Sequence, residues 1–195
     1  MNYNHAVFEA AYGTSKQLPK AENVEFAFAG HSNVGKSSFI NALTNNKKLA
    51  KVGSSPGKTR SINYYNVNNE FYIVDLPGYG YSTMSEAEKT KINKLIDTYI
   101  SKTPEIKHIY FLVDIRNNPT QNDRQMYEWL LDKKIPFSII ATKADKIAKT
   151  KMDDYTKEIT KALFAKENII PFSSDKRINV DLVCDEILNI IQNEE

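Results

Sequence analysis

Cysteine is almost missing from this chain. Cys184 is the only one in 195 residues, which excludes an intrachain disulfide framework and fits a reducing compartment. It falls in an apolar C-terminal run, where a buried structural thiol is expected rather than a nucleophile. No apolar stretch follows a basic region at the N-terminus, and no run approaches the ~20 apolar residues that a spanning helix needs. A cytoplasmic protein without a membrane span is the expectation. Internal repeats and low-complexity segments are also absent. The net charge of +2 is too small to call for a polyanionic partner. Acid is missing from one place, however. Nothing acidic lies between Glu25 and Glu70, while Lys36, Lys47, Lys48, Lys51, Lys58 and Arg60 do. This basic block suits something anionic, although a solvated lysine face is the ordinary alternative.

What is present is the composition of a soluble domain, with 41% apolar and 26% charged residues in a length that closes one core without staples. Strand patterns alternate with helical ones. VEFAFA (24–29) reads as a strand and a helix opens near Lys36, running to about Asn46. Residues 61–75 read as two strands turning at Asn68-Asn69. Ser85 with Glu88 is a capping pattern that opens a helix to about Ser101. HIYFLVD (108–114), PFSIIA (136–141) and IIPF (169–172) read as strands, with helices at 120–133, 152–166 and 180–192. The pattern predicts six strands in a mostly parallel sheet, one of them antiparallel, with helices on both faces in a three-layer α/β/α arrangement. The first ~20 residues carry no readable pattern. Ligands of such sheets bind at the carboxyl ends of the strands, so each functional motif should follow a strand.

They do. GHSNVGKS (30–37) matches Gly-x4-Gly-Lys-Ser between a strand and a helix. Gly30 and Gly35 allow a loop whose N–H groups face phosphate oxygens, and the helix N-terminus adds partial positive charge. Lys36 supplies an ammonium for the outer phosphates and Ser37 a hydroxyl for Mg²⁺. His31, Ser32, Asn33, Val34 and Ser38 complete this binding stretch. TKAD (142–145) follows the strand 136–141, and Asp145 can accept two hydrogen bonds from guanine, a donor pair that adenine lacks. The stem of Lys143 can lie along the base. Thr142 stands where most GTPases carry Asn, so a modest nucleotide affinity is expected. DLPGYGYS (75–82) sets Asp75, at a strand end, where it can hold a Mg²⁺-bound water, and Gly78 where its N–H can meet the γ-phosphate. Upstream, Gly57, Lys58 and Thr59 of SSPGKTRS (54–61) lie in a loop, with Thr59 the natural second protein ligand for Mg²⁺. Ser173 and Ser174 follow the last strand, and their amides could contact the guanine O6.

These residues together resemble the EngB family (YihA or YsxC) of bacterial GTPases, within the TrmE-Era-EngA-EngB-septin-like P-loop GTPases. The resemblance rests on FAFAGHSNVGKSSFINAL, SSPGKTRSINYY, YIVDLPGYGYS, LVDIRNNPTQNDRQMYEWL and TKADK, which span residues 26 to 146, with QLP (17–19) and FSS (172–174) extending it. It implies a Ras-like fold, Mg²⁺-dependent GTP and GDP binding and slow hydrolysis. It further implies a part in assembling the large ribosomal subunit, with loss disturbing growth, division and septation. An N-terminal extension, 1–22, would then pack on a GTP-binding domain, 23–193, in a monomer. His31 departs from the family's usual arginine. Hydrolysis would rest on Lys36, Thr59, Gly78 and Asn33. An asparagine placed like Asn33 holds K⁺ near the phosphates in some related GTPases, and a turn residue bonding its own backbone is the equal alternative. Tyr79 stands where Ras-type enzymes have a water-orienting glutamine, and a phenol is a poor base at neutral pH. Tyr79 and Tyr81 therefore read as contacts for RNA bases or protein. A signalling module with a protein effector and no RNA contact is the alternative function.

Overall fold

The computed structural model describes residues 5–20, 23–52, 61–80 and 84–193. A single sheet runs through the molecule in the order β1-β3-β4-β2-β5-β6-β7. Its strands are β1 (Ala6–Tyr12), β2 (Val24–Gly30), β3 (Ile62–Val67), β4 (Phe71–Asp75), β5 (Ile106–Asp114), β6 (Phe137–Thr142) and β7 (Ile169–Pro171). The helices are α1 (Lys36–Leu43), α2 (Glu86–Lys102), α3 (Gln121–Lys133), α4 (Met152–Leu163) and α5 (Val180–Gln192). The sheet has seven strands where the sequence pattern predicts six. The extra strand is β1, paired antiparallel to β3 at the edge. Its pattern is hard to read because Val7 and Phe8 stay exposed and only its ends, Ala6 and Tyr12, pack on the core. Only β3 runs against the rest, as predicted.

Local chemistry fixes several of these elements. Asn68 and Asn69 both take positive φ, 54° and 59°, and the Glu70 N–H donates to the Val67 carbonyl at 2.9 Å. That left-handed pair matches the strand twist, so β3 and β4 meet as a tight hairpin. Helix α2 opens with the full capping box, Ser85 and Glu88 each bonding the other's backbone. Thr120 and Asp123 form the same box at α3.

Strand alternation sorts the core onto two faces. Phe26 and Phe28 of β2 point to the layer of α1 and α5, with Phe39, Ile40, Tyr110, Phe172 and Val183. Ala27 and Ala29 point to the layer of α2 and α3, with Leu95, Tyr99, Phe111 and Leu130. Phe28 stacks on Tyr110 at 5.3 Å, and Phe39 meets Phe172 at 4.3 Å. Each such buried ring stabilises by roughly 1.5–3 kcal/mol. Because β2 lies between β4 and β5, the strand order reverses beside it, and Gly30, Asp75, Asp114 and Thr142 end at one rim.

Candidate nucleotide site

At that rim the chain leaves β2 and turns into α1. Asn33 and Gly35 take positive φ, 63° and 114°. Gly35 is the N-cap of α1 and makes no side-chain cap hydrogen bond. The first amides of the helix therefore face the loop without a protein acceptor of the usual kind. Ser37 and Ser38 lie half-buried in the first turn.

Lys36 is buried, and its ammonium lies 3.5 Å from the Gly30 carbonyl and 3.9 Å from Asp75 Oδ1. Burial pulls the Lys36 pKa down, against the pull of Asp75. Burial likewise pushes Asp75 up, against Lys36 and a hydrogen bond from Asn63. Among the described residues Asp75 Oδ1 itself accepts no hydrogen bond. A buried carboxylate oxygen short of partners, facing an under-solvated ammonium, is a place that favours a phosphate and a hard cation arriving together.

The 142–145 stretch is bound to the phosphate loop by two bonds. The Thr142 hydroxyl lies 2.7 Å from the Val34 carbonyl and 3.0 Å from that of Val113. The threonine thus does with one hydroxyl what its expected shortfall against asparagine puts in doubt: it ties β6 to the loop. The Lys143 ammonium donates to the Asn33 carbonyl at 2.9 Å and to Asp114 Oδ2 at 2.9 Å. Lys143 itself sits in the left-handed region, φ 63°, which turns the chain so that Asp145 follows in a short helical turn. Asp145 accepts from the Ser173 hydroxyl at 2.6 Å and pairs with Lys146 at 2.8 Å. Burial would raise its pKa, but these two partners hold it below the ordinary value, so it is ionised.

One expectation about the serines is corrected. The Ser173 N–H donates to the Ile178 carbonyl at 3.2 Å and so is not free for a base, and its hydroxyl serves Asp145 instead. Ser174 is half-buried beside it. Tyr79 also differs from the outward contact expected. Its hydroxyl donates to Asp123 Oδ1 at 2.7 Å and its ring stands edge-on to His31 at 6.0 Å. Burial, then the Asp123 charge, push its pKa further above that of an ordinary phenol. Gly78 packs on Ser32, where an added Cβ would lie 3.0 Å from Ser32 Oγ. Gly57, Lys58, Thr59 and Tyr81 lie outside the described residues.

A protein-family model described as "50S ribosome-binding GTPase" matches residues 25–143. The chain is 46% identical over 176 residues to "Probable GTP-binding protein EngB" of Lachnoclostridium phytofermentans, covering 89% of this chain and 88% of that one. It is 45% identical over 175 residues to the protein of that name from Clostridioides difficile, covering 89% and 86%. The chain belongs to the EngB family of GTP-binding proteins. A crystal structure of an EngB protein superposes with a TM-score of 0.71 at 24% identity, over 87% of this chain and all of the other. Era in complex with MgGDPNP and nucleotides of 16S ribosomal RNA superposes at 0.68 and 24% identity, over 86% of this chain and 56% of Era. At these identities the likeness is one of fold.

Within this EngB site the sequence reasoning left three side chains without a role: Asp114, Arg116 and Asp123. Asp114 holds Lys143 and is chelated by Arg116, whose Nε and Nη2 lie at 2.9 and 2.7 Å. Burial alone would raise Asp114, but Arg116 and Lys143 bring it down to about 2. Asp123 was recoverable, since Thr120-x-x-Asp123 is itself a capping pattern. The tie of Asp114 to Lys143 was not, because the two are 29 residues apart.

Proposed function

We propose that this chain is a guanine-nucleotide switch, a Mg²⁺-dependent and intrinsically slow GTPase whose GTP and GDP states differ at 54–61 and 75–85. The observation that carries the reading is the double tie of Thr142 and Lys143 onto the phosphate loop. It makes Lys36 at one end and the ionised Asp145 at the other parts of one rigid site. Asp145 would accept from the guanine N1–H and exocyclic amine, with the Lys143 stem along the base. The amides of 33 and 35–38 and the Lys36 ammonium would take the phosphates, the Val34 N–H being bonded to the His31 carbonyl.

Ser37, Asp75 and Thr59 would hold Mg²⁺, which when bound neutralises charge on the outer phosphate oxygens. Asp75 Oδ1, which accepts no hydrogen bond among the described residues, fits such an ion. Among the described residues no three His, Cys, Asp or Glu side chains cluster as a metal site. A cation held through waters and the nucleotide itself requires no such cluster. Hydrolysis would be slow because the group after Gly78 is a tyrosine that is no base at neutral pH and already bonded to Asp123. Asn33, exposed at its loop position, supports stimulation by K⁺, which equal rates in K⁺ and Na⁺ would remove.

The partner proposed is a precursor of the large ribosomal subunit, with effects on division and septation following from its assembly. The name of the matching family and Era's crystallisation with ribosomal RNA support this. Lys47, Lys48 and Lys51 are exposed for phosphate contacts. Among the described residues no helix is long and apolar enough to cross a membrane. A monomer acting in the cytoplasm is part of the same proposal. The deciding experiment is binding of GTP, GDP and ATP to the purified chain, with Asp145→Asn as the control. Guanine preference that moves toward xanthine in the variant supports the site, and equal binding of ATP sinks it. Nucleotide-dependent co-sedimentation with large-subunit particles, weakening steeply with salt, then tests the partner.

A further inference from the structure

Two stretches go beyond the general motifs of phosphate-loop GTPases, DLPGYGYS and LVDIRNNPTQNDRQ, and the fold joins them through one hydrogen bond. Tyr79 Oη donates to Asp123 Oδ1 at 2.7 Å. Asp123 is buried, and its other oxygen accepts from the Thr120 N–H and hydroxyl at 2.8 and 2.7 Å. Its own N–H returns a bond to the Thr120 hydroxyl at 3.3 Å. The carboxylate is therefore fixed in place by the capping box of α3 and cannot follow Tyr79 if the tyrosine moves.

The other end of Tyr79 is held as firmly. Its carbonyl accepts from the Ser32 N–H and from Ser32 Oγ, each at 2.9 Å. Gly78 directly precedes this doubly held residue and lies against Ser32 of the phosphate loop. From Leu76 to Gly80 the chain forms no helix or strand, only an isolated bridge between His31 and Tyr79. The position of Gly78 is thus set by what its neighbour grips. A half-buried tyrosine that merely satisfies its hydroxyl would fit this burial. It would not need to choose the capping carboxylate of a helix, nor to lie next to a residue expected to meet the terminal phosphate.

We infer that Asp123 is a positioning residue for Gly78, acting through Tyr79, so that α3 holds the γ-phosphate-facing amide in register with the phosphate loop. This rests on the reading of Gly78 as the γ-phosphate contact. A charge-assisted bond of this kind is strong enough that its loss should cost about tenfold in affinity for the ligand it positions. GDP lacks the phosphate concerned and should be indifferent.

The test is the affinity of the full chain for GDP and for a non-hydrolysable GTP analogue, in wild type, Tyr79→Phe, Asp123→Asn, their double variant and Thr120→Ala. The expected result is a loss of about tenfold for the analogue in Tyr79→Phe with GDP within about twofold. Asp123→Asn should behave alike, and the double variant should lose no more than either. Thr120→Ala removes the hydroxyl that helps fix the Asp123 carboxylate but keeps the tyrosine bond, so it should weaken analogue binding relative to GDP by less than Tyr79→Phe does. An unchanged ratio in Tyr79→Phe overturns the inference, and so does an equal loss for both nucleotides, which marks a purely structural bond. If wild type itself gains nothing from the third phosphate, the reading of Gly78 fails and the positioning role falls with it.

Discussion

Replacing Glu25 by Gln should flatten the pH dependence of folding stability between pH 4.5 and about 7. Glu25 opens β2 and is fully buried. Its Oε2 accepts from the Tyr99 hydroxyl at 2.6 Å and the Tyr64 hydroxyl at 3.3 Å, while Oε1 has no hydrogen-bond partner. Burial raises its pKa from 4.5 to about 7, with the two tyrosines pulling down and Glu105 adding to the rise. A carboxyl that is harder to ionise in the folded chain than in the unfolded one favours folding only while protonated. Its contribution is whole below pH 4.5 and is lost as pH climbs through about 7. At about 1.4 kcal/mol per pKa unit the loss comes to about 3 kcal/mol, a large share of the roughly 5–15 kcal/mol that holds a domain together. The assay is urea unfolding of wild type and Glu25→Gln at half-unit steps from pH 5 to 8.5. Their difference isolates this residue, because Asp75 and Lys36 titrate in both. Wild type should fall relative to the variant, most steeply midway between pH 4.5 and about 7, and level off above that. A difference that stays flat with pH refutes the reasoning, whichever protein is the more stable.

Thr142→Val keeps the shape and removes the hydroxyl bound to Val34 and Val113, so a loss of about 1–3 kcal/mol in chemical unfolding is expected, with weaker guanine-nucleotide binding. Asp114→Asn should leave Lys143 held by Asn33 alone and loosen the base-facing loop, read as faster GDP dissociation with little change in melting temperature. Because the Asp114 pKa is lowered to about 2, its support is present above 3.8 and fades only as pH falls toward 2. The wild-type dissociation rate should therefore not depend on this group between pH 5 and 8. Phe39→Ala opens a cavity between Phe28 and Phe172 and should cost about 3–5 kcal/mol in urea unfolding.

The order of elements from Val24 to Gln192 was legible because each rests on short-range chemistry. A near-continuous apolar run marks β5, Ser85 with Glu88 marks the start of α2, and two asparagines able to take positive φ mark the hairpin. The phosphate loop and TKAD were legible for the same reason, since eight and four consecutive residues carry their whole signal. β1 was not, because it stands by pairing with β3 some 55 residues away and buries little of its own. Nor could a linear pattern show that the Ser173 amide is taken by Ile178, or that Tyr79 reaches Asp123. Sheet order decided the second of these. By setting β2 between β4 and β5, it gathered Gly30, Asp75, Asp114 and Thr142 at one rim. The sequence by itself determined which residues could form a nucleotide site. Only the tertiary structure decided which of their hydrogen-bonding groups stay free to use, because each buried donor and acceptor must first find its partner within the fold.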